Sequence, residues 1–238
     1  EGKRLGNLSK KVPKCLVPIF GRSLLKRNLE IFKKNKIKKI IVVGGYKSHL
    51  LRSKSYTLLK NNEFKSSNMV WSLFKAKSKL NGNVIISYGD IVFSSKLLKK
   101  MIKSKKSISV ATDKNFLPYW KKRFKNPFQD LESLKITKNK IISIGKKIDK
   151  KSIINGQYIG LIKLNNKGCK IFKKIFYEML NKTRLQEFKR IYFTDFLQMI
   201  IDNGYTIHPI IFKEDWIEID TVKDAKSSYT LNRLKKIK

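Results

Sequence analysis

The sequence predicts a single α/β domain, built on a mostly parallel sheet flanked by helices and carrying a small antiparallel subregion. Three observations lead there. Short runs at residues 39–45, 83–88 and 107–112 have strand length and are rich in Ile, Val and Ala, as strands buried on both sides are. A helical pattern at 68–80 separates the first two runs, and strand–helix alternation implies parallel pairing through right-handed crossovers. After residue 112 the strands follow one another closely, around a Lys138-Asn139 turn. Length and composition agree, since 238 residues with 41% hydrophobic content suffice for one packed core.

In chain order, residues 23–35 place Leu25, Leu29 and Phe32 at helical spacing with lysines opposite. Lys39-Ile40-Ile41-Val42-Val43 ends in Gly44-Gly45 and reads as a buried parallel strand. Residues 68–80 read as the crossover helix, with 83–88 and 107–112 as the second and third strands. Residues 129–137 and 140–145 read as an antiparallel pair, and 157–164 as a further strand. Helices are expected at 166–180 and 195–203, short strands at 206–212 and 216–219, and a terminal helix at 222–234. No internal repeat and no disordered linker interrupts the chain.

The formal charge of +38 raises the question of a nucleic-acid or anionic-membrane partner. Of 55 basic residues, 47 are lysine and 8 arginine, and they are scattered over every segment. Base readers favour arginine for its bidentate fork. Together with abundant Ile, Asn and Phe, this pattern reads as the bias of AT-rich coding sequence. Weak, non-specific polyanion binding and no specific nucleic acid are expected. No run approaches the ~18 apolar residues of a membrane span, so no membrane insertion is expected. Cys15 and Cys169 form no C-x-x-C pair, which suits a reducing, cytoplasmic compartment. His49 and His208 lack metal-ligand spacing and read as surface or packing residues.

Four short stretches carry chemistry. The first runs from Gly2-Lys3-Arg4-Leu5 to Pro13-Lys14-Cys15-Leu16. A glycine turn can bare backbone N–H groups to phosphate, Arg4 can fork two donors onto it, and Lys14 supplies a point charge. Alone, a Gly-Lys-Arg turn in so basic a chain would be solvated loop. The second is Tyr88-Gly89-Asp90, a carboxylate at the end of a buried strand, where ligands of open α/β sheets collect and Mg²⁺ can be held. Alone it would be an ordinary turn pair. The third is Gly156-Gln157-Tyr158-Ile159-Gly160-Leu161. The fourth is Trp216-Ile217-Glu218-Ile219-Asp220-Thr221, whose two acids share one strand face. Asp220 could equally cap the helix after Thr221.

In this order over nearly the whole chain, the four stretches resemble the nucleotidylyltransferase family that makes sugar nucleotides and CDP-alcohols. The last two look like its phosphocholine and phosphonate cytidylyltransferase branch. The resemblance implies a Rossmann-like nucleotidyltransferase fold in one domain, 1–238, with a nucleotide-binding half at 1–112 and an acceptor-binding half at 113–238. In that family the first loop follows an apolar strand and opens on an earlier glycine. A first strand missing ahead of Glu1 is therefore expected.

The resemblance further implies transfer of CMP from CTP to a small phosphonate or phosphoalcohol or phosphoamine, such as 2-aminoethylphosphonate or phosphocholine, with release of pyrophosphate. Arg4, Lys14, Asp90 and Asp220 are the expected catalytic group, with Asp90, Asp220 and less firmly Glu218 on Mg²⁺. Gly2, Arg4, Lys14, Asn68, Ser72 and Asp90 are expected to bind the nucleotide, its base lying against the helix start at 68. Trp120, Asp130, Glu132, Lys146, Tyr158 and Trp216 are expected around the acceptor: ring faces attract ammonium, and acids at alternate positions can meet the same cation. Each of these aromatics, on its own, would be read as core. Asp195, after Thr194, reads as a helix N-cap. A homodimer and fusion to other biosynthetic domains are compatible with the resemblance. Two rival functions remain: a sugar 1-phosphate nucleotidylyltransferase using UTP or dTTP, and an inactive nucleotide- or polyanion-binding domain.

Overall fold

The protein is described by a computed structural model covering residues 2–149 and 152–237. What precedes Glu1 lies outside the described residues. A short helix α1 (Asn7–Lys10) and a small hairpin, β1 (Pro18–Ile19) with β2 (Arg22–Ser23), lead into α2 (Leu24–Lys34). Ser23 starts α2 by accepting a bond from the Lys26 N–H, as an N-cap does. Then come β3 (Ile41–Gly44), β4 (Thr57–Lys60), α3 (Met69–Lys75), β5 (Val84–Ser87) and β6 (Ile91–Phe93). Ser94 caps α4 (Ser95–Lys103), which leads to β7 (Ile108–Asp113) and α5 (Phe116–Arg123). β8 (Glu132–Thr137) and β9 (Lys140–Lys147) form the expected hairpin. Its turn residues Lys138 and Asn139 both take positive φ, as the tight turns that match strand twist require. β10 (Gln157–Leu164), α6 (Asn166–Lys182), α7 (Leu185–Lys189), α8 (Phe193–Asp202), β11 (His208–Phe212), β12 (Trp216–Glu218), α9 (Val222–Lys226) and α10 (Ser228–Lys236) complete the chain.

The largest sheet has the order β11-β7-β10-β5. β11 runs parallel to β7, while β10 is antiparallel to both β7 and β5. Hence β5, β7 and β11 share one direction and β10 opposes them. The sheet is mixed, and β10, expected in the later subregion, lies at its centre. Its uninterrupted burial explains the placement: Ile159 and Leu161–Leu164 are all buried, and a strand buried on both faces belongs inside a sheet. A bulge between Tyr158 and Ile162 bends this strand, with Gly160 at positive φ. A Cβ at Gly160 would meet the Tyr88 ring, so glycine lets that ring close over the strand.

The core falls into neighbouring clusters. One packs α3, α6 and α8 on the sheet through Phe74, Phe172, Phe176 and Phe196. Another packs α4 and α5 through Leu97, Tyr119, Trp120 and Trp216. α6 comes very close to the start of β7, because a Cβ on Gly168 would strike the Ser107 carbonyl.

β3 differs from the buried strand expected at 39–45. It pairs only with β4, and Ile41, Val42 and Val43 are half-buried. Val84 to Ser87 of β5 are half-buried too. Between these strands runs a cleft of about 1930 Å³. Among the described residues β3 pairs on one edge with β4 and β5 on one edge with β10, and this one-sided pairing accounts for the incomplete burial. α3 is also shorter than expected, since the helix passes into a 3-10 turn at Lys77–Lys79.

Candidate active site

One end of the cleft is built where β5 stops. β6 pairs antiparallel with β12 in the register Ile91↔Glu218, and the Ile219 N–H donates to the Asp90 carbonyl at 3.0 Å. This pairing sets Asp90 beside the Glu218-Ile219-Asp220 stretch. Sequence reasoning missed β6, because three apolar residues are too few to show a period.

Lys14 joins the two aspartates. Its Nζ donates to Asp90 Oδ2 at 2.9 Å and to Asp220 Oδ1 at 2.5 Å. Arg4 forms an ion pair with Asp220 Oδ2 and reaches Asp130 at 3.8 Å. Gly2 holds this start of the chain in a left-handed turn, accepting from Leu5 N–H and the Ser9 hydroxyl. A Cβ on Gly2 would sit 3.2 Å from Lys14 Cβ, so glycine clears the lysine stem. Burial works against the charge on Lys14, but Asp90 and Asp220 outweigh it and hold its pKa above the ordinary value. The arrangement therefore concentrates two fixed cations and two carboxylates at the cleft mouth.

Glu218 takes a different place from the one expected. Its Oε2 accepts from Arg123 Nη1 at 2.6 Å. Burial, with Asp90 and Asp220 adding, pushes its carboxyl up to about 7. Among the described residues no group of three or more His, Cys, Asp or Glu is arranged to hold a metal ion. Asp90 and Asp220 converge on one cation, the Lys14 ammonium. Asp90 Oδ1 is buried without a hydrogen-bond partner. A pair of carboxylates with one orphaned oxygen suits a hard divalent cation whose other ligands are water and phosphate oxygens.

Beyond Glu218 lies a smaller pocket of about 180 Å³, lined by Trp120, Asp130, Glu132, Tyr158, Thr194 and Trp216 among others. Burial raises the pKa of Glu132, and Asp195 and Asp130 raise it further, while a bond from the Thr194 hydroxyl at 3.2 Å opposes them. Burial likewise raises Asp130, against the pull of Arg123 and Arg4. Two carboxylates held this way favour a cationic guest. Trp216 is nearly fully buried and its indole N–H donates to Asp113 Oδ2 at 2.9 Å. Trp120 is buried against Tyr119 and Trp216. Both tryptophans are buried core residues that also line the pocket. Tyr158 stands edge-on to Tyr88.

Other expected residues lie elsewhere. Lys146 is exposed on β9 and lines neither cavity. Asn68 spends its amide on the Arg190 carbonyl, and Ser72, which does line the large cleft, accepts from Asn61 at 2.9 Å. Asp195 is not the cap of α8 but its third residue, reaching back to the Tyr192 N–H at 3.2 Å. Nor does Asp220 cap α9: Thr221 does, with Asp224. His208 bonds the Asn139 carbonyl through Nδ1, and both cysteines are free thiols. No helix among the described residues is long and apolar enough to cross a membrane.

Residues 1–225 match the MobA-like NTP transferase domain. The chain is 34% identical over 241 residues to the CTP:phosphoglutamine cytidylyltransferase of Campylobacter jejuni subsp. jejuni, covering 94% of each chain. Among solved structures it resembles the inositol-1-phosphate CTP transferase of T. maritima, with TM-score 0.78 and 21% identity over 99% of this chain and 91% of that one. It also resembles the CTP:phosphocholine cytidylyltransferase of Streptococcus pneumoniae, with TM-score 0.67 and 21% identity over 99% of this chain and 94% of that one. These structural likenesses show a nucleotidyltransferase α/β fold. The chain belongs to the MobA-like NTP transferase family.

Proposed function

We propose that the protein transfers CMP from CTP to a small phosphorylated or phosphonate acceptor carrying a cationic amine, with release of pyrophosphate. The observation that carries this reading is the adjacency of two unlike pockets. One end of the large cleft gathers Arg4, Lys14, Asp90 and Asp220, and Glu218 separates it from a small acidic and aromatic pocket. The first suits a triphosphate, the second an amine.

In the reaction an acceptor phosphate oxygen attacks the α-phosphorus of CTP in line. A new P–O bond forms as the bond to the β-phosphate oxygen breaks, and pyrophosphate leaves with that electron pair. The nucleophile is ionised at neutral pH, so no general base is required. Two polyanions must meet, and neutralisation is the main task. Arg4 clamps the triphosphate, and Lys14, released from the aspartates, meets charge growing at the α-phosphate. A divalent cation, Mg²⁺ by preference, held by Asp90 and Asp220 would supply further neutralisation of the phosphates.

The base identity rests on the three relatives above, all of which carry CTP in their names and one of which is 34% identical. The amine rests on Glu132 and Asp130, and a phosphorylated glutamine also carries an ammonium. Both 2-aminoethylphosphonate and phosphocholine remain acceptor candidates. The test is steady-state kinetics of Glu132→Gln with 2-aminoethylphosphonate. We expect a sharply raised KM with kcat little changed, because a primary ammonium loses a charged hydrogen-bond partner. Equal use of hydroxyethylphosphonate, which lacks the ammonium, by the native protein would remove the cation site and leave cytidylyl transfer standing.

A further inference from the structure

We propose that Arg123 is a positioning residue that fixes the spacing of Glu218 and Asp220 for the transfer reaction proposed above. Arg123 ends α5 with its side chain 4% exposed. Its guanidinium divides its donors between two carboxylates. Nη1 donates to Glu218 Oε2 at 2.6 Å, and Nε donates to Asp224 Oδ1 at 3.1 Å. Asp224 passes the constraint back along the chain. Its Oδ2 accepts from the Asp220 N–H at 3.1 Å and the Thr221 N–H at 2.9 Å. Thus one buried cation holds the Glu218 side chain directly and the Asp220 backbone at one remove.

The clamp is itself held rigid. The guanidinium lies over the rings of Tyr119 at 5.3 Å, Trp120 at 5.7 Å and Phe124 at 5.0 Å. Tyr119 adds a second tie, its hydroxyl donating to the Glu218 carbonyl at 3.1 Å and accepting from the Glu218 N–H at 2.9 Å. Lys223 Nζ donates to the Arg123 carbonyl at 3.1 Å, closing α5 onto α9. Trp120, on the same helix, lines the acceptor pocket. One helix therefore orders the acceptor wall and the carboxylates together.

A planar fork is needed to reach both acids in fixed directions, and a lysine cannot reproduce it. The test compares the native protein with Arg123→Lys and Asp224→Asn. It reads thermal melting, kcat, KM for CTP, and Mn²⁺ affinity by electron paramagnetic resonance. Partners one shell out from an ion cost about 10–100-fold in affinity or activity when lost. We expect each variant to melt cooperatively, to lose about tenfold or more in kcat, and to bind Mn²⁺ correspondingly more weakly, with KM for CTP within about threefold. Folded variants with native kcat and native Mn²⁺ affinity would overturn the proposal, leaving Arg123 a packing residue. If Arg123→Lys does not fold, Asp224→Asn, which keeps an oxygen acceptor for the two N–H groups, decides between the same outcomes. A native protein that transfers no nucleotide would instead sink the reaction, and Mn²⁺ affinity would still report on the clamp.

Discussion

Removal of the Lys14 ammonium is the most informative single perturbation. Lys14 lies between Asp90 and Asp220 with its side chain 16% exposed, against 27% and 12% for the two acids. Breaking a fully buried pair costs about 3–5 kcal/mol, and an exposed one about 0–1 kcal/mol. The intermediate exposure, and the Arg4 pair left on Asp220, place Lys14→Met at about 2 kcal/mol. For a chain of this length that is about 4–8 °C in Tm, readable by scanning calorimetry. Divalent cation should raise the Tm of the variant more than that of the native protein, because the ion no longer competes with an ammonium. Turnover, followed by pyrophosphate release, should fall about 10²–10³-fold, as when one donor to developing charge is lost. A variant with native Tm and native turnover would refute the placement of Lys14 at the reacting phosphate.

Two further outcomes follow from charge. Glu218 is pushed up to about 7 from an ordinary 4.5, so the folded state holds this proton more tightly than the unfolded one. The stabilisation is complete below about pH 4.5 and is lost as pH rises to about 7. Glu218→Gln should therefore unfold at higher denaturant than the native protein near pH 8 and match it near pH 4; the reverse order would show that Arg123 fully compensates the charge. The lysine-rich surface should bind any DNA duplex weakly, without sequence preference, and release it between about 50 and 200 mM salt in fluorescence anisotropy. Tight binding to one sequence at physiological salt would reinstate the nucleic-acid reading.

Local patterns made much of the architecture legible. The 84–87 strand, the Lys138-Asn139 hairpin and the capped helices each satisfy a rule that acts over a few residues. Arg4, Lys14, Asp90 and Asp220 were legible as a motif set, and they meet at one cleft mouth. What depends on distant pairing was not. β10 enters the middle of the sheet because of partners more than forty residues away at β7 and β5. Arg123 carried no signal in a chain with 55 basic residues, although a buried arginine amid Tyr119, Trp120 and Phe124 has a hint in that aromatic run. Trp120 and Trp216 invite a binding role by their type, and burial shows how far packing claims them first. Lys146 illustrates the same background: one lysine among 47 matches almost any expected position.

Product analysis decides whether the protein transfers a cytidylyl group. The protein would be given an equal mixture of CTP, UTP, dTTP, ATP and GTP, with 2-aminoethylphosphonate, phosphocholine and glucose 1-phosphate as acceptors and Mg²⁺ present. Mass spectrometry would then identify every nucleotide conjugate. The expected product is CMP joined to an amine-bearing acceptor, with pyrophosphate in equal amount. A UMP or dTMP sugar conjugate, or no conjugate with all five nucleotides intact, would contradict it.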